Sequence, residues 1–263
     1  MPRAAYSEAM ATALITGASR GLGEEFAWQL ATARHDVVLV ARDSDRMSEI
    51  ADTIRSAAGV EVEVLQADLA DPAALDRVAD RLADPDRPIS LLVNNAGYGL
   101  GRSILETTWE DEKAALDVLV TAPMRLSQVA AKAMVDRGHG AILNVSSIAA
   151  HLANSSYGAH KRWVLDFTQA LAGQLRGTGV SATAVIPGLV RTEFHDAPDL
   201  VHMREEYPDA AWLSAEQVVA SALAAVRRKA VTVTPSARYA AGAGLLHLVP
   251  KSLTRRSRSQ RRG

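Results

Sequence analysis

Thr16-Gly17-Ala18-Ser19-Arg20-Gly21-Leu22-Gly23 lies between the apolar run Ala11 to Ile15 and a helix-like stretch from Leu22 to Arg34. The order is strand, glycine loop, helix. Three glycines let the backbone turn sharply, approach a pyrophosphate closely and pack the helix on its strand, while a helix N-terminus offers free N–H groups and a favourable dipole to an anion. The spacing is G-x-x-x-G-x-G and not the G-x-G-x-x-G dinucleotide fingerprint. Taken alone, the loop reads either as a phosphate cradle or as a tight βα turn, and the rest of the chain has to decide.

The chain's 263 residues, 48% of them hydrophobic, suit one large α/β domain better than two cores. We read residues 1–250 as that domain and 251–263 as a basic, disordered tail. With no cysteine and seven histidines in no ligand-like cluster, neither a disulfide nor a metal is expected. No apolar run is long enough to span a bilayer and the start carries Arg3 and Glu8, so the expectation is a soluble, cytoplasmic protein. The net charge of −1 hides an asymmetry: six basic and no acidic residues fall in the last thirteen, leaving 23 basic against 30 acidic residues before them. A body that acidic argues against nucleic acid as a partner.

Along the chain, strand-like and helix-like stretches alternate. Asp36 to Val40, Ile89 to Val93, Ala141 to Val145 and Val180 to Ile186 are short apolar runs of the kind buried on both faces of a parallel sheet. Val60 to Leu65 alternates in polarity and suits a strand nearer the edge, and Ala230 to Thr234 is a last short strand. Helices are expected over Ser44 to Ala58, after Asp71-Pro72, over Thr108 to Val135 with Pro123 interrupting, over Tyr157 to Leu175, and after the capping box Ser214 to Gln217. This alternation requires crossovers, hence a single Rossmann-type, doubly wound, mainly parallel α/β sheet. Ligands bind such sheets beyond the carboxyl ends of the strands, where this chain places Gly17, Arg42, Asp68, Asn94, Ser147 and Pro187.

From Thr12 to about Thr234 the sequence resembles the short-chain dehydrogenase/reductase family. The resemblance rests on Thr16-Gly17-x-x-x-Gly21-x-Gly23, Asp68, Asn94-Asn95-Ala96-Gly97, Ser147, Tyr157-x-x-x-Lys161, and Pro187-Gly188 followed by Thr192, all in the family's order. Residues four apart share a helix face, so the Lys161 ammonium is expected to stabilise the Tyr157 phenolate and bring its pKa toward working pH. The resemblance makes Tyr157 the general acid/base, Ser147 the donor to the substrate oxygen, and Lys161 also the partner of a nicotinamide ribose. It further implies a cofactor lined by Ser19, Arg20, Leu22, Leu69, Ala96, Gly97, Pro187, Gly188 and Val190. Asp68 would meet the adenine, Thr192 the carboxamide, and Asn95 would support the fourth strand.

Arg42, nineteen residues past Gly23, stands where an acidic residue would bond a ribose 2′-hydroxyl and an arginine would accept a 2′-phosphate. With Arg20 in the loop, this favours NADP(H), bidentate guanidinium being suited to phosphate; Asp43, one residue further, is the NAD(H) alternative. Two departures stand out. Leu119 occupies the position where the family usually carries an asparagine that helps order a water behind the lysine, and the ten-residue interval from Ser147 to Tyr157 demands a compact loop. His151 and Asn154 lie in that loop, either as pocket residues or as ordinary exposed positions.

The family places a substrate lid at about 191–213, where Phe194, His195, Tyr207 and Trp212 occur. Their aromatic character suits an apolar carbonyl compound, or packing against the body. The resulting expectation is hydride transfer between NADP(H) and a small, apolar carbonyl/alcohol substrate, in a homodimer or homotetramer. Two alternatives stand beside it: a dinucleotide-binding or regulatory protein with weak or lost catalysis, and a membrane-surface contact through apolar Tyr239 to Val249 and the basic tail. For the latter segment a pocket wall or subunit contact followed by a disordered tail is preferred.

Overall fold

The computed structural model describes residues 11–152, 154–196 and 206–240. Seven parallel strands form one sheet in the order β3-β2-β1-β4-β5-β6-β7. They are β1 (Thr12–Thr16), β2 (Asp36–Ala41), β3 (Val62–Gln66), β4 (Ile89–Asn94), β5 (Gly140–Val145), β6 (Val180–Val185) and β7 (Thr232–Val233). Alternating side chains of β1 feed opposite layers: Ala13 and Ile15 pack with Phe26, Met47 and Val218, and Leu14 packs with Val78, Leu126 and Ala182. Both faces of the central strands are therefore dry, which is why those strands read as unbroken apolar runs. β3 is one of the two edge strands, as its alternation indicates, with Glu63 ion-paired to Arg81 at 2.8 Å.

The helices are α1 (Gly21–Thr32), α2 (Ser44–Ala58), α3 (Pro72–Ala83), α4 (Trp109–Leu116), α5 (Ala122–Arg137), α6 (Ser156–Gln174) and α7 (Ala215–Arg227). The expected long helix from Thr108 is two helices joined by a π-helical turn, Asp117–Thr121. Pro123 explains it: in an α-helix its ring would strike the carbonyl of Leu119, and a wider turn avoids that clash. β7 has only two residues, pairing Thr232 and Val233 with Ala184 and Val185.

The lid residues 197–205, the stretch beyond Ala240 and the basic tail 251–263 lie outside the described residues, as does the side chain of His195. Among the described residues, no helix is long and apolar enough to cross a membrane, and no three His, Asp or Glu residues are grouped as metal ligands.

Candidate active site

The glycine loop is held against the end of β4. Asn95 donates from Nδ2 to the carbonyls of Thr16 at 3.0 Å and Gly17 at 3.3 Å, while the Thr16 hydroxyl accepts from the amides of Asn95 and Ala96 at 3.0 and 3.1 Å. Asn95 thus fastens the loop itself to β4. Gly17 has φ +68°, and a Cβ there would sit 2.8 Å from Ala96 Cα; Gly21 has φ +57°, with Thr192 Cβ only 3.1 Å from its Cβ position. Both sites demand glycine on conformation and on space.

The start of α1 is built for an anion. Asp43, Asp71, Thr108, Ser155 and Ser214 cap α2, α3, α4, α6 and α7 with side-chain oxygens, whereas α1 begins at Arg20 with no side-chain cap. Its first residues, Arg20, Gly21 and Leu22, line the cleft, where a dinucleotide pyrophosphate would fill the missing cap. The residues fit that group.

One cleft gathers nearly every candidate. Gly17, Ser19, Arg20, Gly21 and Leu22 line it from the loop, and Arg42, Asp68 and Leu69 from the ends of β2 and β3. Asn95, Ala96 and Gly97 follow β4, Ser147, Tyr157 and Lys161 face the centre, and Pro187, Gly188, Val190 and Thr192 close the far side. Gly23 and Asn94 are the exceptions: Gly23 is buried behind the loop, and Asn94, placed at the rim from the sequence, is the buried last residue of β4 and lines a separate small cavity. The Asp68 carboxylate makes a turn bond to the amide of Ala70 at 3.0 Å as well.

Tyr157 sits in the first turn of α6. Ser155 caps that helix by accepting from the amide of Gly158 at 3.1 Å, and a Cβ on Gly158 would lie 2.9 Å from the carbonyls of Ala149 and Leu152. A 3-10 turn, Ile148–His151, is thereby pressed onto α6, which is how the short interval from Ser147 to Tyr157 is spanned. Asn154 lines the cleft and is exposed; His151 is not among the lining residues. Of the lid aromatics, Phe194 meets the Tyr157 ring at 5.9 Å between centroids and Tyr207 lines the cleft. Trp212 instead packs into the body, 9% exposed, its indole N–H directed to the Tyr207 carbonyl at 3.4 Å.

The electrostatics correct the reading taken from helical spacing. Burial pushes the Tyr157 phenol up to about 12, a hydrogen bond with Ser147 opposing the shift, and Lys161 does not lower it. The reason is geometric: Lys161 Nζ lies 5.8 Å from the ring centroid and donates to the Val145 carbonyl at 2.8 Å. Burial also pushes Lys161 down to about 8. At neutral pH Tyr157 is a protonated acid beside a charged Lys161.

Leu119, in the π-helical turn, is 2% exposed and lines a small buried cavity together with Lys161. Leu119→Asn would bring an amide to that cavity. We expect a shifted pH–rate profile with the dinucleotide dissociation constant unchanged, at a cost of about 1–3 kcal/mol in stability if the amide finds no partner. Steady-state rates across pH, thermal unfolding and a cofactor titration check it.

Tyr239, the first residue of the stretch expected as a pocket wall or subunit contact but not singled out there, lines the far side of the cleft. Its hydroxyl donates to the Ala211 carbonyl at 2.7 Å and accepts from the Leu189 amide at 3.2 Å, and its ring takes the space a Gly188 Cβ would need. Nothing near Tyr239 in the chain signals this, because the contact spans fifty residues.

A family model described as short chain dehydrogenase matches residues 11–199. The ketoacyl reductase HetN of Nostoc sp. is 30% identical over 226 residues, 84% of this chain and 77% of that protein. A short-chain dehydrogenase from Sphingobium yanoikuyae, solved in complex with NADPH, superposes with a TM-score of 0.83 at 34% identity, over 93% of this chain and 95% of its own. The bulky-bulky ketone specific alcohol dehydrogenase from Comamonas testosteroni gives a TM-score of 0.77 at 30% identity, over 92% and 96%. Fold, glycine loop and matched relatives agree: the chain belongs to the short-chain dehydrogenase/reductase family of oxidoreductases, which use a nicotinamide dinucleotide.

Proposed function

We propose that this protein is an NADP(H)-dependent carbonyl reductase or alcohol dehydrogenase acting on a small, apolar substrate, with Tyr157 as general acid/base. The observation that carries the reading is that Ser147, Tyr157 and Lys161 line one cleft together, with the Lys161 ammonium 5.8 Å from the Tyr157 ring centroid. A bound nicotinamide supplies or accepts the hydride. Ser147 hydrogen-bonds the substrate oxygen, Tyr157 gives that oxygen a proton or takes one in the oxidative direction, and Lys161 would hold the nicotinamide ribose. Phe194 and Tyr207 offer the substrate apolar surface and exclude water. Relatives with ketoacyl and ketone substrates in their names support a carbonyl group as the reacting centre.

The preference for NADP(H) rests on Arg20 and Arg42. Both line the cleft, both are exposed, and neither guanidinium has a protein partner among the described residues. The Asp43 carboxylate is occupied, accepting from the amide of Arg46 at 3.0 Å as the cap of α2. A 2′-phosphate gives each arginine a charge-assisted bond worth about 1.5–3 kcal/mol, so Arg42→Ala is expected to weaken NADPH about ten-fold or more and to leave NADH unchanged. Titration of both cofactors against both proteins checks this; equal NADPH affinity removes Arg42 from the site. A carbonyl panel followed by NADPH absorbance tests the reading as a whole. If every carbonyl fails while NADPH binds, the alternative of a dinucleotide-binding protein with lost catalysis, favoured by Leu119 beside Lys161, takes its place.

A further inference from the structure

Asn94, Asn144 and Thr168 form a buried chain of side-chain hydrogen bonds whose direction is set at one end. Thr168 Oγ1 lies 2.6 Å from the Val164 carbonyl, which can only accept, so the hydroxyl donates there. It therefore accepts from Asn144 Nδ2 at 2.9 Å, which leaves Asn144 Oδ1 to take Asn94 Nδ2 at 2.8 Å. The same Asn94 nitrogen reaches Ser127 Oγ at 3.0 Å, so both of its protons are committed. Asn94 Oδ1 remains: the residue is 7% exposed and this oxygen has no partner among the described residues. Flipping the amide does not help, since it would set two carbonyl oxygens against each other.

Asn94 and Lys161 line the same cavity of about 10 Å³, at the lower limit of what one water needs. Lys161 Nζ has three protons and gives one to Val145 O. Thr16 also lines the cavity, but its hydroxyl already accepts from two amides, and the remaining walls, Leu119, Ala122 and Val164 among them, are apolar. A water there would accept from the ammonium and donate to Asn94 Oδ1, the unpartnered side-chain oxygen of a residue in the cavity wall.

We propose that Asn94, through a single buried water, holds the Lys161 ammonium in position and keeps it charged. Asn94 is thus a positioning residue, and its consequence for turnover rests on the function proposed above. Tyr157 and His160 on α6, and His151, Glu112 and Asp117 on the 3-10 turn, α4 and the π-helical turn packed against it, are titratable, and none of them lines the cavity. The water and amide oppose the burial that lowers Lys161, as no carboxylate does the work there.

The ¹³C resonance of the lysine Cε carbons follows the titration directly, and Lys161→Arg identifies the signal among the chain's five lysines. Asn94→Leu is expected to lower the Lys161 midpoint by about one pH unit, the equivalent of one charge-assisted bond, and Asn94→Asp to raise it. Asn144→Leu breaks the same chain of bonds but keeps Asn94 Oδ1, so its midpoint should match the parent's. Equal midpoints in the parent, Asn94→Leu and Asn94→Asp overturn the proposal, and so does a fall in Asn144→Leu as large as that in Asn94→Leu. If Asn94→Leu does not fold, the direction of the Asn94→Asp shift decides. A high-resolution crystal structure of the full chain should show one water within hydrogen-bond distance of Lys161 Nζ and Asn94 Oδ1; its absence also overturns the proposal. None of these measurements uses turnover, so a chain inert toward all carbonyl compounds would defeat the functional reading and leave this test intact. In an active chain, the basic limb of the pH–rate profile should move with the Lys161 midpoint.

Discussion

Tyr157→Phe is expected to lower turnover on the best carbonyl substrate by ~100- to 10,000-fold, the usual worth of a positioned general acid, while NADPH binding and folding stay close to the parent's. The substitution removes one oxygen and keeps the ring. The ring's contacts are with Phe194, at 5.9 Å, and with the Lys161 ammonium, at 5.8 Å, and both survive. What goes is the proton, together with the hydrogen bond to Ser147. Because burial holds the phenol at about 12, the parent carries that proton throughout the neutral range. Single-turnover rates and a fluorescence titration of NADPH separate chemistry from binding. A mutant that reduces the same substrate at the parent's rate would remove Tyr157 from the reaction.

The parts of this molecule that could be read from the chain are those written in local pattern. α2 runs over Ser44–Ala58 as expected because both its ends are chemically marked, by the Asp43 side-chain cap and by Gly59 at φ +64°. The central strands announce themselves because each must bury both faces, and the edge strand β3 because it need not. The cofactor rim was legible for the same reason: Gly17, Arg42, Asp68, Ser147 and Pro187 each fall within two residues of a strand's end. The π-helical turn was not, since Pro123 signals a break in the helix without saying whether the chain kinks or widens there.

The polar interior was also hidden. Asn94 and Asn144 sit in otherwise apolar strands fifty residues apart, and only the neighbouring register of β4 and β5 makes them partners. Nor does helical spacing reveal where a long side chain ends: Tyr157 and Lys161 share a face of α6, yet the ammonium turns to the Val145 carbonyl of β5. Side-chain direction on a shared face constrains which residues can meet, and the tertiary acceptor decides which do.

Gly23→Ala should have an effect of comparable size through geometry alone. A Cβ at Gly23 would fall 2.0 Å from the Gly17 carbonyl oxygen and 2.7 Å from Asn95 Nδ2, where real Cβ contacts stay beyond 3.0 Å. The neighbour on one side is backbone, and Asn95 on the other is tied to the Thr16 and Gly17 carbonyls, so neither can rotate aside. The loop must retreat by about 1 Å, a displacement that can cost ~100-fold at a site requiring aligned groups. Because that loop presents the uncapped start of α1 to the cleft, the loss should appear first in dinucleotide affinity and equally for NADPH and NADH, unlike the loss expected for Arg42→Ala. Overpacking should also destabilise the fold by about 1–3 kcal/mol. Gly173 in α6 provides the contrast, since nothing lies within 4 Å of its Cβ position, and Gly173→Ala should stabilise by up to about 0.5–1 kcal/mol with both cofactor affinities unchanged. Thermal unfolding and the two cofactor titrations, run on both variants, test the pair. A Gly23→Ala protein that binds both dinucleotides like the parent would show that the loop can move without consequence, and that the anion is held elsewhere than at the start of α1.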